Sequence, residues 1–473
     1  MTTAPLARAV RTLVVLPLVA IGLVAGAASA RLPQSTPADA KEAASDFREI
    51  VRQAKSEVFP AVVYLKCLRQ SMESGRARTE DVGGSGVVIS EQGELLTNWH
   101  VIDRAVEIRA LLSDGRAFKA DLVASDRDLD LALVRLRLEE KHEPIPVAEL
   151  GSSGHLVEGD FVMAMGAPWG LNRSVSVGIV SCTRRYLPDS SEYSLWLQTD
   201  ASISPGNSGG PLVDTDGRVI GINTLVRMGG GDLGFSIPAD TIREVLPRMR
   251  EKGRVGWSWT GLRLQPLRDF DKDTYFEGTV GVIVAGVEPG SPAEAAGLKS
   301  RDRLLSVAGT PTNGVTSEDL PAIRRMIALL PADAPVDLVI RRGDEERTVK
   351  LTPSMKGNVQ GEELDAPRWG LTVKQINRFE NPELHRVKAE GVFVFGVRAP
   401  GNAMSAGISE NDIIVEVDGK QVATLDDLKK AYDASLENLA SSGGSKKRLL
   451  VKILRAGRMN QVILDISRDY ERD

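Results

Sequence analysis

The sequence predicts a protein that is mostly β with some α: one β-rich body followed by two copies of a smaller domain. From Ala61 to Pro238 short β-rich runs alternate with turns, among them Ala61-Val62-Val63-Tyr64-Leu65, Gly86-Val87-Val88-Ile89, Leu131-Ala132-Leu133-Val134 and Arg218-Val219-Ile220-Gly221-Ile222. Strands this short and frequent point to a barrel or sandwich. Beyond them, Gly281-Val282-Ile283-Val284-Ala285-Gly286-Val287 recurs as Gly391-Val392-Phe393-Val394-Phe395-Gly396-Val397. The match runs on from Ala295-Ala296-Gly297-Leu298 to Ser405-Ala406-Gly407-Ile408, and from Asp302 and Gly309 to Asp412 and Gly419, at a constant offset of 110 residues. That period is too long for a solenoid unit and fits a duplicated domain. At roughly 150 residues per domain, 473 residues hold about three domains, enough to bury separate cores without a disulfide or metal staple.

The elements follow in chain order. Arg8 and Arg11 precede an uncharged run from Thr12 to Ala30, which ends in Ala28-Ser29-Ala30. A basic start, an apolar middle and small residues at the end form the pattern of a secretory signal peptide, so residues 1–30 are read as one. The competing reading is a retained membrane anchor, since 19 uncharged residues just reach the spanning length; Pro17, Gly22 and Gly26 favour cleavage. Removing residues 1–30, which hold two Arg and no acid, takes the net charge from −5 to −7. Residues 31–45 read as a linker, and Phe47, Ile50, Val51 and Ala54 fall at helical spacing before Pro60. The β-rich domain is assigned to 46–252, with a closing helix from Thr241 to Arg250; the two copies occupy 256–354 and 366–469, joined by a linker from Ser354 to Pro367.

Composition excludes several classes of function. The mildly acidic balance leaves no broad footprint for nucleic acid. Two cysteines, Cys67 and Cys182, and four histidines are too few for a zinc ribbon or a disulfide scaffold, and neither metal nor other cofactor is expected. Cys67 shares a strand face with Val63 and Leu65, which suits core packing, and a Cys67–Cys182 bridge is not expected. Gly83-Gly84-Ser85-Gly86 lacks the lysine of a phosphate loop. Without ATP a chain cannot pull folded domains apart, so substrates should be unfolded, damaged or flexible proteins.

Three segments of the β-rich region carry chemistry in combination: Thr97-Asn98-Trp99-His100-Val101, Asp128-Leu129-Asp130-Leu131-Ala132-Leu133, and Gly206-Asn207-Ser208-Gly209-Gly210-Pro211-Leu212. A serine hydroxyl is a poor nucleophile until an imidazole takes its proton, and a carboxylate must hold that imidazole in the right tautomer. Glycines around the serine permit a tight turn that aims backbone N–H groups at one spot, as an oxyanion hole requires. Asp126 and Asp128 compete with Asp130 for the acid role; Asp130 is preferred because it directly precedes Leu131-Ala132-Leu133, and the other two are expected to be solvated turn residues.

With these flanks, the region resembles the trypsin-like serine proteases of the HtrA/Deg family, and with the repeat the resemblance spans nearly the whole mature chain. It implies a trypsin-like double β-barrel with the site between the barrels, followed by two PDZ domains. Residue by residue it implies His100 as general base, Asp130 as its orienting acid and Ser208 as nucleophile, with the N–H groups of Gly206 and Ser208 as the oxyanion hole. It implies a substrate pocket at Ser202, Ile203 and Val226, with no acid at its floor, and hence cleavage after small or medium aliphatic residues. It implies a regulatory loop over Thr183–Ser194 in which Arg185 matches the family arginine, and a mobile pocket loop at Gly229-Gly230-Gly231. Trp259-Thr260-Gly261-Leu262 and Arg368-Trp369-Gly370-Leu371 are similar to PDZ carboxylate-binding loops, whose N–H groups take a peptide C-terminus while the peptide adds a strand to the sheet. One departure stands out: the family commonly has Gly before the repeat aspartate, where this chain has Arg301 and Asn411, so the turn before Asp302 is expected to differ.

The function expected is ATP-independent, extracytoplasmic serine endopeptidase activity, with partners limited to unfolded substrates, peptide C-termini at the PDZ domains and further copies of the chain in a homo-trimer or larger assembly. The alternatives are a PDZ-based binding or chaperone protein with minor proteolysis, and a membrane-tethered signalling protease.

Overall fold

The computed structural model describes residues 37–168, 173–187, 190–224, 233–269, 280–441 and 447–470, with side chains from residue 47 onward. The apolar stretch 12–30, Val226 and Gly229-Gly230-Gly231 lie outside the described residues, and so does Asp189. Among the described residues no helix is long and apolar enough to cross a membrane.

Helix α1 (Pro37–Val58) begins inside the stretch read as a linker. Residues 38–44 are rich in Ala, Lys and Glu, which favour helix, and Pro is tolerated in a first turn. Its later residues Ala54 and Val58 are buried in the core of the first barrel.

Strands β1 (Val62–Ser71), β2 (Arg78–Val88), β3 (Glu94–Thr97), β4 (Ala105–Leu111), β5 (Ala117–Asp126) and β6 (Leu131–Leu136) close a barrel in the order β1-β2-β3-β6-β5-β4, and α2 (Trp99–Ile102) is a single turn between β3 and β4. In β6 only Arg135 is exposed, so its apolar run is core throughout. Cys67 packs inside β1, where burial pushes its thiol up to about 12. Strands β7 (Phe161–Gly166), β8 (Ser174–Arg185), β9 (Trp196–Thr199), β10 (Pro211–Val213), β11 (Val219–Thr224) and β12 (Gly234–Pro238) close a second barrel in the order β10-β11-β12-β9-β8-β7. Closure pairs every strand and leaves no edge. Helix α3 (Ala239–Lys252) then buries Ile242, Val245, Leu246 and Met249 and stops at Gly253, whose N–H returns to the Met249 carbonyl.

The first repeat comprises β13 (Ser258–Trp259), β14 (Leu262–Gln265), β15 (Val282–Val287), α4 (Pro292–Ala295), β16 (Arg303–Val307), β17 (Thr310–Pro311), α5 (Leu320–Ala328), β18 (Val336–Arg342), β19 (Glu345–Leu351) and β20 (Ser354–Met355). Its sheet runs β14-β15-β16-β18-β19, with β13 paired to β20. The second comprises β21 (Glu363–Ala366), β22 (Leu371–Gln375), α6 (Pro382–Val387), β23 (Val392–Val397), α7 (Asn402–Ser405), β24 (Ile413–Val417), β25 (Lys420–Gln421), α8 (Leu425–Ser441), β26 (Arg448–Arg455) and β27 (Arg458–Asp465), in the order β21-β22-β23-β24-β26-β27. Each repeat has its own apolar core.

The repeat aspartates explain themselves. Asp302 and Asp412 are buried, and each takes a two-pronged contact from an arginine, Arg342 at 2.7 Å and Arg455 at 2.6 Å. The turn before Asp302 matches its counterpart, contrary to expectation: Arg301 and Asn411 are both left-handed, at φ 74° and 67°, and their N–H groups bond the equivalent Val284 and Val394 carbonyls. Arginine there accepts the backbone strain because those hydrogen bonds and the aspartate behind them dictate the turn.

Candidate active site

His100 sits in the single turn α2, and the loop before β6 locks that turn in place. Trp99 N–H donates to the Asp130 carbonyl at 3.1 Å, His100 N–H donates to Asp130 Oδ1 at 3.1 Å, and the Asn98 amide donates to the same Asp130 carbonyl. Asp130 is left-handed, at φ 52°, a conformation Asp tolerates better than most residues. It turns its carboxylate onto the ring: His100 Nδ1 lies 2.9 Å from both oxygens. Nδ1–H is therefore the donor, and Nε2 is left as the free nitrogen. A third group arrives from the other barrel, where Thr224 at the end of β11 donates its Oγ1–H to Asp130 Oδ2 at 2.7 Å.

The serine loop is sewn to the first barrel. Ser85 on β2 donates its N–H to the Ser208 carbonyl at 2.8 Å and its Oγ–H to the Gly206 carbonyl at 2.6 Å, while accepting the Ala167 N–H. Gly209 passes so close to β2 and β3 that a Cβ there would lie 2.1 Å from the Ser85 carbonyl and 2.3 Å from Thr97 Oγ1. Thr97 is three residues before His100, so the serine loop is seated on the strand that leads into the α2 turn. Within the loop, Asn207 N–H returns to Ser204 and Gly210 N–H to Asn207. The N–H groups of Gly206 and Ser208 donate to nothing among the described residues. Ser208 Oγ and His100 Nε2 make no hydrogen bond to each other among the described residues; such contacts commonly tighten only around bound substrate.

Against this geometry stand the comparisons with known proteins. A trypsin-like peptidase domain model matches residues 84–222, and a PDZ domain model matches residues 283–342. A probable periplasmic serine endoprotease DegP-like from Halomonas elongata is 34% identical over 81% of this chain and 79% of its own length. The protein of the same description from Chlamydia trachomatis is 33% identical over 77% of this chain and 72% of its own. The chain belongs to the HtrA/DegP-like family of serine endoproteases. Among solved structures, the HtrA-type protease AlgW with a tripeptide is 32% identical with a TM-score of 0.56, covering 64% of this chain and 96% of that one. The double barrel and the two PDZ domains are therefore the architecture of an HtrA protease.

The rival acids lie elsewhere, Asp126 buried and Asp128 partly exposed and paired. Asp126 is buried, accepting the Leu129 N–H at 2.9 Å and the Trp257 indole N–H at 2.5 Å, and burial together with the nearby Asp128 charge pushes its carboxyl up to about 7. Asp128 receives the Lys356 ammonium at 2.6 Å. Burial works against the charge on Lys356, but the facing Tyr193 and Asp128 outweigh it and hold the amine above its ordinary value. Expecting solvated turn residues failed because Trp257 and Lys356 lie 131 and 228 residues away in sequence.

Sequence reasoning also missed Ser85, Thr97 and Thr224. The available signal was Gly83-Gly84-Ser85-Gly86, a small-residue run inside a strand, which marks close approach by another backbone. Of the residues expected to form the pocket, Ser202 is exposed, its carbonyl accepting from Ser176 Oγ at 2.6 Å, and Ile203 packs on the second-barrel core against Gly234.

Arg185 ends β8 and donates to the Gln198 side chain at 2.8 Å. The same stretch meets the first PDZ domain: Arg324 of α5 donates to the Tyr186 hydroxyl at 3.0 Å, and Arg325 to the Tyr193 carbonyl at 2.7 Å. That domain's loop, Trp259-Thr260-Gly261-Leu262, borders a cavity of about 500 Å³ lined by β14 and α5 and also by Asp128 and Tyr193 of the protease, Lys356 of the linker and Phe379 of the second repeat. The Thr260 and Gly261 N–H groups donate to nothing among the described residues. The loop expected at Trp369, Gly370 and Leu371 is built differently. Its N–H groups are consumed inside the turn, and Trp369 is fully buried with its indole N–H on Ser435.

Proposed function

We propose that this HtrA protease cleaves peptide bonds through His100, Asp130 and Ser208. In this reading Ser208 Oγ attacks the scissile carbonyl, His100 Nε2 takes the hydroxyl proton and returns it to the leaving amine, and Asp130 holds the ring and stabilises the imidazolium. The free N–H groups of Gly206 and Ser208 receive the oxyanion. The observation that carries the proposal is the carboxylate of Asp130, held from both barrels and bonded to His100 Nδ1 at 2.9 Å. Ser202 and Ile203 line the pocket for the residue before the cleaved bond, to which the family resemblance adds Val226, and the apolar Ile203 favours Val and Ala over Lys and Arg.

The same reading assigns residues 1–30 as an export signal, 46–252 as the protease, 256–354 and 366–469 as the PDZ domains, and the periplasm as the working compartment, in line with relatives named as periplasmic. Substrates are unfolded or flexible proteins. The first PDZ domain takes a C-terminal carboxylate on the N–H groups of Thr260 and Gly261, beside Trp259 and Leu262, Arg185 belongs to a regulatory loop, and the working form is a homo-trimer or larger.

The test compares the chain with Ser208→Ala on denatured casein, alongside labelling by a serine-reactive phosphonate. Cleavage and labelling that both vanish in Ser208→Ala are expected. Cleavage that persists refutes the nucleophile, and an intact chain that never cleaves but still binds casein supports the binding-protein alternative.

A further inference from the structure

The two PDZ domains differ at the one place where a PDZ domain meets its ligand. A peptide ligand adds as an antiparallel strand to the open edge of the sheet, with its C-terminal carboxylate on the N–H groups of the preceding loop. In the first domain β14 is the edge strand, and among the described residues no strand pairs its outer edge. In the second domain the equivalent strand, β22, has β23 on one side and β21 on the other. The strand register is Glu363 opposite Lys374, Leu364 opposite Val373, Asp365 opposite Thr372 and Ala366 opposite Leu371. β21 is therefore antiparallel to β22, with its C-terminal end at the loop, as a ligand would be.

The loops can be equated atom by atom. Ala293 N–H bonds the Thr260 carbonyl and Glu288 N–H the Gly261 carbonyl; in the second domain Ala403 N–H bonds the Trp369 carbonyl and Arg398 N–H the Gly370 carbonyl. The free donors of Thr260 and Gly261 thus correspond to those of Trp369 and Gly370. Both of the latter reach the Ala366 carbonyl oxygen, each at 3.0 Å, and the Gly370 N–H is shared with the Pro367 carbonyl at 3.1 Å. Side chains agree with the backbone. Ala366 is fully buried, Leu364 packs on the same core, and α8, the helix that flanks the groove, contacts β21 as well as β22. β21 is anchored outward too, since Asp365 Oδ2 accepts the Ala77 N–H from the loop between β1 and β2 at 2.8 Å.

We propose that the second PDZ groove is occupied by the chain's own segment Glu363–Ala366, whose Ala366 carbonyl stands in for a ligand carboxylate. Peptide C-termini are then received by the first groove alone, one per chain, and the second domain is a closed module tied to the protease barrel through its resident strand. This replaces the expectation of a second carboxylate site at Trp369, Gly370 and Leu371. It rests on the PDZ architecture and not on the protease chemistry.

The experiment uses the full chain carrying Ser208→Ala, to prevent self-digestion. Amide hydrogen exchange without any peptide should be at least ~100-fold slower at Trp369 and Gly370 than at Thr260 and Gly261, because only the first pair is already hydrogen-bonded. Equal exchange at the two loops overturns the proposal. In parallel, a fluorescein-labelled peptide ending in Glu-Leu-Asp-Ala with a free carboxylate, and its C-terminal amide, are titrated into the same chain and into its Gly261→Ala form. In Gly261→Ala the new Cβ would lie 2.2 Å from Ser291 Cβ and distort the first loop. Carboxylate-dependent binding that survives in Gly261→Ala overturns the proposal. A chain that binds no peptide yet keeps slow exchange at Trp369 and Gly370 refutes peptide capture by the first domain and supports the occupied second groove.

Discussion

Gly206→Ala isolates the oxyanion hole. Gly206 stands at φ 102°, and a Cβ on it would lie 2.6 Å from Pro168 Cβ and 2.7 Å from Pro168 Cα. Ordinary contact needs about 3.5 Å, and the facing atoms belong to a rigid proline, so the 205–206 peptide must retreat by roughly 1 Å. A hydrogen bond stretched that far is lost, and a missing oxyanion donor costs about 3 kcal/mol, or ~10²-fold in kcat. KM should change little, because the donor acts on the charge that develops during reaction rather than on the ground-state carbonyl. Backbone strain alone is controlled by Gly159→Ala: Gly159 has nearly the same φ, 101°, but nothing within 4 Å of its Cβ position. The assay is kcat and KM on a fluorogenic peptide cleaved after Val, with thermal unfolding followed by circular dichroism. Gly159→Ala should lower Tm and keep kcat; Gly206→Ala should lose kcat. If Gly206→Ala keeps kcat within about threefold, or the two variants lose it equally, the assignment of the Gly206 N–H fails.

Thr224→Val keeps the volume and removes the hydroxyl that Asp130 Oδ2 accepts at 2.7 Å; a hydrogen bond to a charged group is worth about 1.5–3 kcal/mol, so kcat/KM should fall ~10- to 150-fold, with Thr224→Ser restoring most of it. The Asp126 carboxyl, raised from 3.8 to about 7, binds its proton more tightly folded than unfolded, so its contribution to stability is full below the unfolded value and is lost as pH rises through about 7. Asp126→Asn, which cannot ionise but can accept from only one of the Leu129 and Trp257 N–H groups, should flatten the fall in Tm between pH 4 and 8 measured by calorimetry. Asp302→Ala removes the buried carboxylate that Arg342, itself partly exposed, grips at 2.7 Å, and loss of hydrogen bonds to such a charged group costs about 1.5–3 kcal/mol. Hydrogen exchange should show the first PDZ domain loosening while the second, with its own Asp412–Arg455 pair and its own core, stays protected.

Local pattern made the fold legible. Strand frequency announced the barrels, the constant offset announced the duplicated domain, and the apolar run Leu131-Ala132-Leu133-Val134 marked a buried strand. The segments of His100, Asp130 and Ser208 stood out for the same reason, each holding residue types that suit one chemical task. Helix α1 was only half legible, because Pro and Ser at 33–37 masked the helix-forming residues that follow.

Sequence by itself determined which residue types were available and in what order, and that sufficed for the family and for the residues proposed to do the chemistry. Tertiary structure decided how they are held. Thr224 and Ser85 matter because two barrels meet, Asp126 is buried because Trp257 closes over it, and Asp128 is paired because Lys356 returns from the interdomain linker. The two carboxylate loops, nearly alike as strings, diverge for the same reason. Whether an N–H is free to receive a ligand depends on which carbonyl the rest of the chain brings to it, and the Ala366 carbonyl comes to Trp369 and Gly370 while none comes to Thr260 and Gly261 among the described residues.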